Sequence, residues 1–216
     1  MTFADRREAG VRLGGDLEHF ASHAHAVVLG LPRGGVVVAH AVAKVLGLPL
    51  HAFLVRKLGV PGQEELAMGA VASGGMHVLN EEVIADLGVS NSVIAEVLER
   101  ETQELMRRET LYGQAPWQTM LRGKTAILVD DGLATGSTMK AAVKAIRLLA
   151  PGMVVVAVPT GSSEACDELR ALADQLYCLD SPEPYLSVGS WYEEFSEVPD
   201  AEVQRLLSCT ETKTEA

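Results

Sequence analysis

The stretch AILVDDGLATGSTM, residues 126–139, decides the fold predicted for this chain. A short apolar run ends in two acidic residues, Asp130 and Asp131, and continues through a loop with two glycines into a helical pattern over residues 138–149. A buried strand that turns into a helix is the building unit of parallel α/β sheets. The stretch therefore predicts one strand, loop and helix of such a sheet.

Three further apolar runs predict strands of the same sheet, at residues 26–31, 50–55 and 154–158. Runs without polar alternation are typical of strands covered on both faces, as parallel strands are. A helical pattern over residues 35–46 follows the first of them. We therefore expect an α/β fold with a twisted, mostly parallel sheet flanked by helices, and ligand-binding loops at the carboxyl ends of the strands.

The composition is that of a folded globular protein, with 216 residues, 48 % of them hydrophobic and 22 % charged. A net charge of −11 argues against a surface built to neutralise nucleic acid or anionic lipid. The chain contains no apolar run of roughly 18 residues or more, and its start lacks the profile of a signal peptide. We expect a cytoplasmic protein that binds neither nucleic acid nor membrane.

The loop after Asp131 has the features of an anion site. Its glycines let the backbone approach a ligand, and the amides of the following helix turn point outward with the positive end of the helix dipole. The spacing matches neither a Walker loop nor a dinucleotide fingerprint. Carboxylates beside a phosphate site suit sugar hydroxyls or a divalent cation, which indicates a ribose phosphate. The alternative is a plain strand-to-helix turn capped by Asp131.

The segment LVDDGLATGST, residues 128–138, resembles the signature of type I phosphoribosyltransferases, which bind 5-phosphoribosyl-1-pyrophosphate. The resemblance implies that Asp130 and Asp131 are catalytic residues that contact the ribose hydroxyls. It assigns the 5′-phosphate to a set of loop and helix residues: Ala134, Thr135, Gly136, Ser137 and Thr138. The chain as a whole most resembles bacterial stand-alone proteins described as predicted phosphoribosyltransferases.

This resemblance implies transfer of the 5-phosphoribosyl group to a nitrogen acceptor such as a nucleobase, with release of pyrophosphate. Mg²⁺ would be carried by the substrate near Asp130 and Asp131, with no metal bound directly by the protein. Two alternatives from other classes stay open. One is a non-catalytic regulatory protein that binds phosphoribosyl pyrophosphate or a nucleotide, and the other is a nucleotide-binding interaction module.

The segment Pro32-Arg33-Gly34-Gly35 follows the first predicted strand. The two glycines expose main-chain amides, and a guanidinium offers a fork of donors suited to phosphate oxygens. The resemblance implies that Arg33, Gly34 and Gly35 bind the pyrophosphate, with an unusual peptide geometry in this loop. The alternative is an ordinary turn between strand and helix.

Arg56 and Lys57 follow the second predicted strand and precede a glycine-rich stretch, for which we predict a loop over residues 59–70. The resemblance implies that this loop is a mobile lid and that Arg56 and Lys57 are catalytic cations that meet the departing pyrophosphate. The alternative is a solvated basic pair at a strand end. At the start of the chain, Arg6 and its neighbours are interpreted as a solvated helix face.

The acceptor is expected near the carboxyl end, because five of the ten aromatic residues lie within residues 177–195. Aromatic faces suit a planar heterocycle, and the resemblance implies a hood over the nucleobase, with Tyr185, Trp191 and Tyr192 as candidate contacts. The alternative is that these rings only pack a subdomain or a dimer contact. Ala134 stands where the 6-oxopurine branch of the family carries an acid, which makes that branch less fitting.

The predicted organisation is one domain over residues 1–207, with a helical insertion at about 76–122, a hood at about 177–200 and a flexible tail over 208–216. Within the insertion, the charge pattern of residues 92–111 predicts one long helix with opposite charges three and four positions apart. We interpret this helix as a structural arm, with a subunit contact as the alternative. The resemblance implies a homodimer.

Overall fold

The structure is a computed structural model, and it describes residues 1–21, 25–112 and 117–208. The strands are β1 (Ala26–Gly30), β2 (Leu50–Ala52), β3 (Val55–Val60), β4 (Gln63–Ala72), β5 (Met76–Leu79), β6 (Thr125–Val129), β7 (Met153–Thr160) and β8 (Gln175–Asp180). The helices are α1 (Arg6–Asp16), α2 (Gly34–Leu46), α3 (Glu81–Leu87), α4 (Asn91–Tyr112), α5 (Ser137–Ile146), α6 (Ser163–Leu172) and α7 (Asp200–Ser208). Within the described ranges, no helix is both long and apolar enough to cross a membrane.

The described part of the chain forms a main sheet of five parallel strands in the order β2-β1-β6-β7-β8. Ile127 of β6 lies in register with Val28 of β1 on one side and Val155 of β7 on the other. The strands β1 and β6 are neighbours, so the loops at their carboxyl ends meet at one edge of the sheet. The predicted α/β class and parallel sheet are confirmed.

Helices cover both faces of this sheet. Successive strand residues point to opposite sides, so each strand contributes apolar side chains to both faces. One face packs α1, α2 and α7 against Val28 and Ile127. The other face packs α5 and α6 against Leu29 and Leu128. Since both faces are buried, the strands read as continuous apolar runs in the sequence.

A second sheet, antiparallel and in the order β3-β4-β5, follows the second strand of the main sheet. The prediction of a strand over residues 50–55 was therefore too long, since β2 ends at Ala52 and Val55 begins β3. The predicted loop over residues 59–70 was wrong as well, since β3 and β4 form a hairpin whose turn holds Gly62 at φ +81°. Leu58 and Met68 are fully buried and hold the hairpin to the core.

The long helix predicted over residues 92–111 is confirmed as α4. The main-chain N–H of Val93 donates to the Ser90 hydroxyl at 3.4 Å, so Ser90 caps it. Leu105 buries one face of the helix. Outside this buried face, the Glu104 carboxylate accepts from two arginines three and four positions on. The arm is thus an amphipathic helix laid on the second sheet.

The carboxyl-terminal part contains a strand that the sequence did not predict, β8, at the edge of the main sheet. Tyr177 lies in this strand, and its hydroxyl is 3.1 Å from Nε2 of His19. The stretch between β8 and α7 contains a short 3₁₀ turn at Val188–Trp191. Of the predicted tail, Ser208 ends α7 and the remainder lies outside the described residues.

Candidate active site

Asp130 and Asp131 follow β6 directly and lie half-buried at the carboxyl edge of the main sheet. The main-chain N–H of Asp131 donates to Oδ1 of Asp130 at 2.8 Å. Burial, and after it the charge of Asp131, raise the pKa of Asp130 well above its usual range. A ligand hydroxyl that donates to Asp130 would offset this penalty, because hydrogen bonds to a carboxylate stabilise its charged form.

The glycines at the start of α2 lie directly against these two acids. A Cβ added to Gly35 would lie 2.7 Å from Oδ1 of Asp130, closer than real Cβ atoms come. A Cβ added to Gly34 would collide with Oδ2 of Asp131. The structure therefore brings together the predicted pyrophosphate loop and the predicted ribose acids, and only glycine allows this approach.

Arg33 occupies the last position before α2, and the peptide bond between Pro32 and Arg33 is cis, an unusual geometry of the kind expected for this loop. The Arg33 guanidinium pairs with the carboxylate of Glu197, which is largely exposed. Glu197 was not singled out from the sequence. An anionic ligand of this loop would compete with the Glu197 carboxylate for the Arg33 guanidinium.

The predicted phosphate loop lies beside the acids, between β6 and α5. Gly136 has φ +66° and precedes the first residue of α5; it has no side chain to cap the helix, and the main-chain N–H of Ser137 donates to the Thr135 hydroxyl at 3.4 Å. The Thr135 hydroxyl lies 2.9 Å from the Ser137 hydroxyl, and Ala134, Thr135, Ser137 and Thr138 are exposed. Beyond this one long bond, the exposed amino end of the ten-residue helix has main-chain N–H groups that could donate to an anion.

Contacts with the end of β7 fix the position of this loop. Leu133 donates its main-chain N–H to the carbonyl of Thr160 at 2.9 Å and accepts from the N–H of Ser162 at 2.9 Å. The Ser162 hydroxyl donates to the carbonyl of Ala134 at 2.7 Å. The loop is thus preorganised before any ligand binds.

Arg56 and Lys57 lie on β3. Nε of Arg56 donates to the Glu101 carboxylate of α4 at 2.7 Å. Both basic residues line a cavity of about 440 Å³, together with Arg100 and Glu101 of α4. The described residues lining this cavity include neither the acid pair nor the phosphate loop. Their predicted catalytic role stays a prediction.

Tyr185 and Trp191 stack on each other, with ring centroids 6.1 Å apart. The Tyr185 hydroxyl, Nε1 of Trp191 and the Thr160 hydroxyl are buried, and within the described ranges none of them makes a hydrogen bond of ordinary geometry, although the two hydroxyls lie near each other. Burial raises the pKa of Tyr185 to about 12, so its hydroxyl is available as a donor at neutral pH. Three unpaired polar groups in this region could be satisfied by a polar ligand or by water.

Tyr192 is 6 % exposed, and its ring packs between those of Phe3 and Phe195 at 5.5 and 5.0 Å. Its hydroxyl donates to the main-chain carbonyl of Asp131 at 2.6 Å. Burial, and then the Asp131 charge, raise the pKa of Tyr192. The Tyr192 hydroxyl therefore supports the main chain of the acid pair. Its predicted contact with the acceptor stays a prediction.

Arg6 is a site residue that sequence reasoning missed. Its Nε donates to Oδ2 of Asp131 at 2.8 Å, and the two side chains are 11 % and 16 % exposed. Its guanidinium lies 3.7 Å from the centroid of the Phe195 ring. The interpretation as a solvated helix face was wrong for this residue. Two adjacent arginines at a helix start carry no sequence signal that tells which one points inward.

The acid pair fits a metal ion that arrives with a phosphate ligand. Among the described residues, no group of three or more His, Cys, Asp or Glu side chains could hold a metal ion by itself. One carboxylate oxygen of Asp131 is already bound to Arg6. Protein-bound Mg²⁺ often takes one or two carboxylates and completes its shell with phosphate oxygens and water.

The comparisons with known proteins agree with this geometry. Residues 17–178 match the model of the family described as phosphoribosyl transferase domain. Two proteins from two strains of Mycobacterium tuberculosis, with phosphoribosyl transferase in their names, are 40 % identical over 205 residues. These residues are 95 % of this chain and 46 % of each relative, so the chain spans about half the length of the curated relatives it matches.

Among solved structures, the chain is similar to the protein TT1426 from Thermus thermophilus, with a TM-score of 0.86 and 40 % identity over 97 % of this chain and 99 % of that one. It also resembles a purine phosphoribosyltransferase from Pyrococcus horikoshii, with a TM-score of 0.50 and 16 % identity. That match covers 92 % of this chain and 95 % of the other, and it shows a shared fold.

Proposed function

The chain belongs to the phosphoribosyl transferase family, and from this membership we propose that it transfers the 5-phosphoribosyl group of 5-phosphoribosyl-1-pyrophosphate to a nitrogen acceptor. The proposed acceptor is a nucleobase, and pyrophosphate is released. The observation that carries the proposal is the contact of Gly34 and Gly35 with Asp131 and Asp130. Two loops from neighbouring strands thus bring main-chain amides and carboxylates together at one edge of the sheet.

In the proposed complex, Asp130 and Asp131 accept hydrogen bonds from the ribose hydroxyls. The 5′-phosphate binds the loop from Ala134 to Thr138, where main-chain amides and hydroxyls face solvent. The pyrophosphate binds Arg33 and the amides at the start of α2. Mg²⁺ that arrives with the substrate near the acid pair would neutralise charge on the pyrophosphate.

The proposed reaction breaks the bond between C1′ and the pyrophosphate oxygen, and the electron pair leaves with pyrophosphate. The lone pair of the acceptor nitrogen forms the new bond to C1′, and the acceptor loses its proton to solvent. Carboxylates next to the sugar favour the positive charge that develops there. Arg33 and the loop amides stabilise the negative charge on the leaving group.

The acceptor end is proposed to lie at Tyr185 and Trp191. Their buried, unpaired polar atoms favour an acceptor that can form hydrogen bonds over one that is purely apolar. A cytoplasmic location and a homodimer stay predictions.

Isothermal calorimetry with 5-phosphoribosyl-1-pyrophosphate and Mg²⁺, followed by a screen for pyrophosphate release across nucleobases, tests the proposal. Asp131→Asn and Thr135→Ala should weaken binding. Matched controls are Asp167→Asn and Thr110→Ala, which make the same chemical changes on exposed helix surfaces. Saturable binding without release from any acceptor would favour the regulatory protein, and absence of binding would refute the site.

A further inference from the structure

Arg6 is held in the site by contacts on several sides. Its Nη1 donates to the carbonyl of Ser196 at 2.9 Å, its Nε donates to Asp131, and its guanidinium stacks on Phe195. A planar guanidinium with a ring on its face and acceptors along its edge has little freedom to move. Among the ion pairs whose two members the structure describes, only this one leaves both side chains less than a fifth exposed.

Contacts of the residues at the start of α1 and just before it fix the position of Arg6. The Asp5 side chain caps α1 by accepting from the main-chain N–H groups of Arg7 and Glu8, so Arg6 lies in the first helical turn. Phe3 is fully buried, and its main chain bonds to Trp191 and Glu193. The residues before α1 are therefore fixed on the stretch after β8, and this fixes the direction of Arg6.

Burying an ion pair costs desolvation free energy, because both charges lose water when they are brought together. Replacing Arg6 by an apolar residue would leave Asp131 beside Asp130 with no compensating cation from α1. Two adjacent carboxylates repel each other, and the charge of Arg6 lowers the raised pKa of Asp130. Packing α1 on α2 does not need this pair, because Gly10 and Gly14 of α1 lie directly against α2 and Leu13 is buried in the same core cluster as α2.

We infer that Arg6 is a positioning residue for the acid pair: it holds Asp131 through Oδ2 and leaves Oδ1 and the neighbouring Asp130 for the sugar hydroxyls. This inference rests on the proposed function. The hydrogen bond from Arg6 falls on Oδ2 of Asp131, and the carboxyl groups of Asp130 and Asp131 lie close enough to interact directly. The first turn of α1 thereby becomes part of a site otherwise built from the ends of β1 and β6.

The test compares Arg6→Gln with Arg6→Lys and with the control Arg7→Gln. Arg7 is the adjacent residue of the same helix, is 64 % exposed and pairs with Glu202. Calorimetry with 5-phosphoribosyl-1-pyrophosphate and Mg²⁺ should show affinity reduced about 10- to 100-fold in Arg6→Gln, as for the loss of a residue that orients a ligand-binding side chain. Arg6→Lys should recover part of the loss, and Arg7→Gln should stay within about two-fold of wild type.

A second readout needs no ligand. Titration of the aspartate carboxyl carbons by NMR should show a higher pKa for Asp130 in Arg6→Gln and no change in Arg7→Gln. If Arg6→Gln fails to fold in a thermal scan, Arg6→Lys carries both measurements, with a smaller loss expected.

Equal behaviour of Arg6→Gln and Arg7→Gln in both measurements would overturn the inference. Tighter binding by Arg6→Gln would overturn it too, since Arg6 would then compete with the ligand. A wild-type protein that does not bind the pyrophosphate ester refutes the proposed function. The titration would still show whether Arg6 controls the acid pair.

Discussion

Replacing Gly35 with alanine tests the close approach between α2 and the end of β6. The added Cβ would lie 2.7 Å from Oδ1 of Asp130, 2.8 Å from its Cα and 2.9 Å from the carbonyl oxygen of Val129. Two of these atoms belong to the backbone of a central strand and the residue after it, so the start of α2 must move instead. The loop amides then shift away from the acid pair.

The magnitude follows from two opposing effects. Overpacking of a tight contact costs about 1–3 kcal/mol. Alanine in place of glycine restricts the unfolded chain, which returns about 0.4–1 kcal/mol. Gly35→Ala should therefore lower the free energy of unfolding by about 0.5–2 kcal/mol, or the melting temperature by roughly 1–8 °C for a chain of this size.

The matched control is Gly15→Ala, near the end of α1, where an added Cβ meets nothing within 4 Å. This variant should gain about 0.4–1 kcal/mol, so the two alanines are expected to shift stability in opposite directions. Denaturant unfolding with an unchanged slope measures both. Calorimetry with 5-phosphoribosyl-1-pyrophosphate should show weaker binding by Gly35→Ala alone. A Gly35→Ala protein as stable as Gly15→Ala, or one with unchanged affinity, would refute the reasoning.

Three further predictions concern contacts around the site and the core. Glu197→Gln should tighten pyrophosphate binding, because Arg33 no longer has to leave an anionic partner. Calorimetry should show a gain in affinity of no more than about five-fold, the upper limit for an exposed ion pair. Weaker binding would mean that Glu197 helps to place Arg33. Tyr192→Phe should cost about 0.5–1.5 kcal/mol in denaturant unfolding through its lost hydrogen bond. Tyr185→Phe should be neutral or stabilising, because the Tyr185 hydroxyl makes no hydrogen bond of ordinary geometry among the described residues. Burial lowers the pKa of His51 to about 4. Between about pH 6.5 and pH 4, His51 therefore takes up a proton in the unfolded chain and not in the folded one. The free energy of unfolding should fall as the pH drops through this range. His51→Gln should remove that part of the pH dependence, and an identical profile in both proteins would contradict it.

The strands of the main sheet were predictable because burial on both faces leaves an uninterrupted apolar run. Residues 26–31 became β1 and residues 154–158 became the centre of β7 for this reason. The hairpin of β3 and β4 was missed because its glycines suggested a loop, although Leu58 and Met68 face the core. The edge strand β8 was missed because it is only half-buried and its aromatic residue suggested the acceptor region.

In the candidate site, too, some features could be predicted from local sequence and others only from the structure. The acids, the phosphate loop and the glycines of the pyrophosphate loop are each local in sequence, since each lies at a strand end followed by a helix. Their mutual contact follows from one tertiary fact, the pairing of β1 with β6.

The α/β class and the family could be predicted from the sequence alone, because continuous apolar runs and one local loop motif indicate them. Which charges meet could be read only from the folded chain. Arg6 lies 125 positions before Asp131, and Arg33 lies 164 before Glu197, so no periodicity links the members of either pair. Whether an arginine at a helix start faces water or an acid depends on how the residues before α1 and after β8 pack on the sheet. The local sequence around that arginine does not predict this packing.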